Sequence, residues 1–130
     1  MLIRYKKSYE KIAMGLLSFV PTEKDIKKLQ KTIKKYEEND DWQLFLWKDE
    51  DDILGAVGIH LEEDKAIIEH VSVNPSYRHQ GIGKTMLKAL NQMLSQEGIP
   101  IVPQKKIEEF VDKCLKEAKK DANENTEETE

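Results

Sequence analysis

Between Asn74 and Met86 the chain reads NPSYRHQGIGKTM, with two glycines, Gly81 and Gly83, beside Lys84 and downstream of Arg78. A glycine turn that opens a helix holds anions, because free backbone N–H groups and the positive helix end point the same way. Two phosphate-loop patterns fail on this stretch. The P-loop pattern G-x-x-x-x-G-K-[ST] would end on Gly83, Lys84 and Thr85, but its first glycine falls on Arg78, whose side chain blocks the tight turn. The dinucleotide pattern G-x-G-x-x-G/A puts its third small residue on Met86. What remains is R-x-x-G-x-G, placed between an apolar strand and an amphipathic helix. Lacking Cβ, its glycines let a diphosphate approach the backbone amides of His79, Gln80, Gly81, Ile82, Gly83 and Lys84. Arg78 and Lys84 add positive charge.

The other residue whose type points to chemistry is Glu69, within AIIEHVSV. Strand alternation puts its carboxylate on one face with Ile67, Val71 and Val73, and turns His70 to the opposite face. A carboxylate on an apolar face is expected to have a raised pKa and to serve as a general base. His70 reads as a packing histidine and His79 as a backbone contributor to the loop. The three histidines and the single cysteine, Cys114, have no metal-ligand spacing, so no metal is expected.

These residues need a scaffold, and the pattern supplies one. MLIRYK reads as a short strand, followed by one helix within 9–19 and a second beginning after Pro21 and Thr22, with Thr22 as its N-cap. Ile26, Leu29, Ile33 and Tyr36 mark the buried face of that second helix. The period then changes to that of strands over 42–48, 53–61 and 66–73. Acidic clusters between them read as hairpin tips, so the three make an antiparallel meander. After the glycine loop, Ile82, Met86, Leu90 and Met93 predict a helix ending near Gly98. A strand over 99–102 and a last helix from Ile107 to Ala118 complete the order β-α-α-β-β-β-α-β-α, an α/β (α+β) class with a mixed, mostly antiparallel sheet.

The stretch EHVSVNPSYRHQGIGKTMLKAL and this element order together resemble the GCN5-related N-acetyltransferase (GNAT) family. The closest resemblance within it is to short members encoded with riboflavin biosynthesis genes, through MLIRYKKSYEKIAMGLLSF and QLFLWKDEDDI. The resemblance implies acetyl-coenzyme A as co-substrate and an amine as acceptor, with the pyrophosphate on the glycine loop. The pantetheine arm would then pair with backbone of Val71, Ser72 and Val73. Many members carry their base two residues before Glu69, where this chain has Ile67. Members often end on a motif whose tyrosine protonates the leaving thiolate; here Val111 stands in that place and the closing strands are missing. The resemblance therefore supports two readings, an N-acetyltransferase or an acyl-CoA-binding sensor with little transfer.

The chain has 130 residues, 35% of them charged, and a net charge of −4. Five acids and no base stand in the last ten residues, DANENTEETE, so the remainder is close to neutral. The expected organisation is one domain over 1–120 and a disordered acidic tail over 121–130. No basic stripe argues for nucleic acid, and the longest apolar run, IAMGLLSFV, is too short to cross a membrane. A lone cysteine fits a reducing compartment, giving a cytoplasmic expectation. The unclosed sheet edge implies burial by the last helix or by a second copy, so the chain is expected to be a monomer or homodimer.

Overall fold

The computed structural model describes residues 1–77 and 80–103. A five-stranded sheet runs in the order β1 (Leu2–Arg4), β2 (Trp42–Asp49), β3 (Asp52–Glu62), β4 (Lys65–Val73) and β5 (Ile101–Pro103). The first four are antiparallel neighbours, and β5 lies parallel to β4. The meander expected over 42–73 is therefore present, with each strand reaching one residue beyond its expected bounds at one or both ends. Its two tips are two-residue turns in which Glu50 (φ 55) and Glu63 (φ 49) take the left-handed conformation. Parallel strands cannot be joined by a hairpin, and helix α3 (Ile82–Ser95) makes the crossover from β4 to β5.

Helices α1 (Glu10–Leu17) and α2 (Ile26–Glu38) cover one face of the sheet, and α3 covers the other. On the first face Leu16, Leu17, Leu29 and Ile33 pack against Leu44, Leu46 and Ala56. On the second, Met86, Leu87, Leu90 and Leu94 meet Phe45, Val57, Ile59 and Ile68. Burying such side chains contributes about 1.5–3 kcal/mol each.

Three sequence expectations are corrected by this packing. The N-cap of α2 is Asp25, whose carboxylate accepts the Lys27 N–H, while Pro21–Glu23 forms a separate single 3₁₀ turn. Ile26 is 59% exposed, because the helix buries the Leu29, Thr32, Ile33 and Tyr36 side and Ile26 lies off it. In α3 the fully covered positions include Leu87 and Leu94, whereas Ile82 and Met93 are only half-buried. The last expected helix, Val111, Cys114 and the acidic tail lie outside the described residues.

Gly58 is the point of closest approach between α2 and the sheet. A Cβ there would lie 1.9 Å from the Tyr36 hydroxyl oxygen. Gly58→Ala is expected to destabilise the chain by about 2–4 kcal/mol, combining overpacking with loss of a buried hydrogen bond. Urea unfolding checks this, and an unchanged midpoint would refute the close approach.

Candidate active site

The region around Glu69 is built by an interruption in the β3–β4 ladder. Gly58 pairs with His70 and Ile59 with Ile68, so Glu69 is an extra residue with no partner on β3, a β-bulge. Below the bulge Ala66 and Ile68 face α3; above it Val71 and Val73 face the same way. Both Glu69 and His70 consequently turn toward the α1–α2 face. There Glu69 Oε2 lies 4.0 Å from His60 Nδ1, and His70 Nδ1 meets the Tyr36 hydroxyl at 2.6 Å. The expectation that Glu69 shares a face with Val71 and Val73, and that His70 points away from it, is overturned. Uniform alternation does not survive an inserted residue. Glu69 does share the α1–α2 side with Ile67, the register partner of His60.

The Glu69 side chain is 12% exposed. Burial raises its pKa above the ordinary carboxylate value, as expected from the sequence; His60 and Lys35 pull it back, and Glu62 adds to the rise. A partly covered carboxyl of this kind holds a proton more readily than a surface glutamate, which is what a base needs. Its rim is aromatic and cationic. Trp42 stacks on His60 with ring centroids 4.6 Å apart, and Lys35 Nζ lies 4.7 Å from the Trp42 ring centre. Sequence reasoning missed Trp42, His60 and Lys35, since they come from three separate elements that only the fold brings together.

On its other edge β4 meets β5. Pairing between β4 and β5 runs from Ala66 with Ile101 to Ile68 with Pro103. Among the described residues no strand lies against β4 on that side beyond Ile68. The Asn74 N–H bonds to the Leu54 carbonyl, and alternation back from it turns the Ser72 backbone to β3. The backbone groups of Val71 and Val73 face away from β3. Ser72 therefore departs from its expected place beside them. Its backbone is used by β3, and its hydroxyl donates to the Leu16 carbonyl of α1.

Past β4, Pro75–Tyr77 form a single 3₁₀ turn. Gly81 then caps α3 in the left-handed conformation (φ 76), which favours glycine. The first intrahelical bond runs from the Thr85 N–H to the Gly81 carbonyl, so the amides of Ile82 and Gly83 precede it at the positive helix end. Gln80 and Gly81 are exposed, and Ile82, Gly83 and Lys84 half-buried. Arg78 and His79 lie outside the described residues. Strand backbone turned away from β3 and leading into an exposed, glycine-capped helix start fits a ligand with an amide-bearing arm and a diphosphate. Among the described residues no group of three His, Cys, Asp or Glu could hold a metal ion, and no helix is long and apolar enough to cross a membrane.

Residues 12–109 match the acetyltransferase (GNAT) family model, and the chain belongs to that family. It is 55% identical over 115 residues to an uncharacterized N-acetyltransferase in the lysA 3′ region of Bacillus methanolicus, covering 88% of this chain and 94% of the relative. Its fold is similar to AAC(6′)-Iy in complex with a bisubstrate analog, with a TM-score of 0.69, 15% identity and coverage of 100% and 92% of the two chains. It is also similar to an aminoglycoside 6′-N-acetyltransferase complexed with coenzyme A, with a TM-score of 0.63, 14% identity and coverage of 76% and 57%. The chain is thus a GNAT-family N-acetyltransferase that uses acetyl-coenzyme A.

Proposed function

We propose that the chain transfers the acetyl group of acetyl-coenzyme A directly to a small-molecule or peptide amine at the bulge, with Glu69 as base. The observation that carries this reading is the β4 bulge itself, which sets a largely covered carboxylate on the strand that leads into the glycine-capped start of α3. The diphosphate lies against the amides of Gln80, Gly81, Ile82, Gly83 and Lys84, which follow Arg78 and His79 in the sequence. The arm runs along Val71 and Val73. A neutral amine attacks the thioester carbonyl; the C–N bond forms, its proton passes to Glu69 directly or through water, and the C–S bond breaks to release thiolate, which solvent protonates.

The acceptor is unidentified. Aminoglycosides are named for one of the similar structures above and enter the test as one class. The resemblance to acetyltransferases encoded with riboflavin genes carries gene neighbourhood and no acceptor. A second reading, a coenzyme-sensing module with little transfer, is favoured by Val111, which stands where the family resemblance leads one to expect an acid tyrosine.

Calorimetry with coenzyme A, followed by a thiol-release assay over aminoglycosides, polyamines and peptides with free amines, tests both. Binding with acceptor-dependent thiol release is expected. Tight binding with no release on any amine would leave the sensor, and absence of binding would end both readings.

A further inference from the structure

Behind Glu69 runs a buried polar chain that acyl transfer itself does not use. Glu23, in the single turn Pro21–Glu23 between α1 and α2, has a side chain only 1% exposed. Its carboxylate accepts the Thr32 hydroxyl of α2 and lies 3.3 Å from Lys28 Nζ and 3.6 Å from His70 Nε2. Across the imidazole, His70 Nδ1 meets the Tyr36 hydroxyl at 2.6 Å. Tyr36 reaches that position because Gly58, the register partner of His70, has no Cβ.

The proton arrangement follows from the partners. A buried carboxylate requires donors, so the hydrogen of a neutral ring belongs on Nε2, and Nδ1 accepts from the Tyr36 O–H. Burial lowers the His70 pKa, which keeps the ring neutral, although Glu23 works against that shift. Burial of Glu23 would raise its pKa, but the Thr32 and Thr22 hydroxyls, His70 and Lys28 outweigh it and leave the carboxyl below its usual value.

A bulge has neighbouring alternatives: moving the extra residue by one position exchanges which side chain meets which face. Whatever fixes His70 also fixes where the extra residue falls. We propose that Glu23, His70 and Tyr36 form a positioning clamp that holds the bulge at Glu69 and so aims its carboxylate. This inference rests on the reading of Glu69 as the base. The three residues hand no proton to the acceptor. They join the α1–α2 connection, α2 and β4, so the aim of Glu69 depends on how α2 is seated.

The test compares Tyr36→Phe, His70→Leu and His70→Asn, each alone and combined with Glu69→Gln. Tyr36→Phe removes a single oxygen and serves if His70→Leu fails to fold. Alone, Tyr36→Phe and His70→Leu are expected to lower kcat by roughly ten- to a hundredfold while coenzyme A affinity is retained. His70→Asn, which offers Tyr36 an acceptor near the Nδ1 position, recovers part of that loss. In the Glu69→Gln background neither change costs further activity, because a residue acting through Glu69 cannot act without it. Losses of equal size in both backgrounds would overturn the clamp.

A second measurement needs no turnover. Carbon-detected NMR titration of Glu69 should show its pKa falling toward the ordinary value in folded Tyr36→Phe. If the wild type acetylates no amine, the reading of Glu69 as base fails, and this titration still decides the clamp. An unmoved Glu69 titration in that variant would sink it.

Discussion

Glu69→Gln is expected to lower kcat by about 10²–10⁴-fold, the usual range for loss of a positioned base, while coenzyme A binds as before. The amide is isosteric and neutral, so the aromatic rim of Trp42 and His60 and the coenzyme strand remain in place; only the ability to take a proton is lost. The acid limb of the rate profile gives an independent check. Glu69 must be ionised to accept a proton, and burial holds its pKa above the ordinary 4.5. Wild-type kcat/KM should therefore fall, as pH decreases, at a pH above that value. In Glu69→Gln this component disappears, and the residual rate follows the ionisation of the amine. Steady-state kinetics across pH checks both. A variant with wild-type kcat would assign the proton to another group.

The strands around Glu69 were partly legible before any geometry. The three long strands showed in the sequence because apolar, β-favouring runs were cut by acidic pairs, and two-residue hairpins leave little freedom in register. The glycine turn was legible as a helix start because an apolar strand precedes it and an amphipathic helix follows. The bulge was not. Ala66, Ile68, His70 and Ser72 are all buried, so the pattern keeps its period of two through Glu69 while the sides exchange. An inserted residue that lands between two covered layers leaves no trace in hydropathy. Gly58 was the available signal, a glycine within a continuous apolar strand, where close approach by another group is the usual cause.

Buried Glu23 was likewise hidden. It stands between Thr22 and Lys24 in a stretch rich in charge, and a charged residue there defaults to solvent. Only its four partners, contributed by Thr22, α2 and β4, reverse that default. The N-cap of α2 moved from Thr22 to Asp25 for a related reason. The turn Pro21–Glu23 takes its own hydrogen bonding, with the Glu23 N–H donating to the Val20 carbonyl, and the following acidic side chain is the first able to reach a helical N–H.

Gly83→Val is expected to remove most coenzyme A affinity while leaving the fold intact, and it separates binding from folding better than Gly81. At Gly81 the left-handed backbone (φ 76) makes any side chain strained, so lost binding there would mix with lost stability. Gly83 lies inside α3, where the positive-φ strain of Gly81 does not apply. A valine in a helix is no worse than glycine in propensity. Its branched side chain would stand where the proposed diphosphate site meets the amides of the first turn. Losing two hydrogen bonds to a charged group, at about 1.5–3 kcal/mol each, weakens affinity by roughly 10²–10⁴-fold. Calorimetry with coenzyme A measures the loss, and a urea midpoint equal to the wild type shows that the fold survived. Retained affinity in a folded Gly83→Val chain would place the diphosphate away from the start of α3.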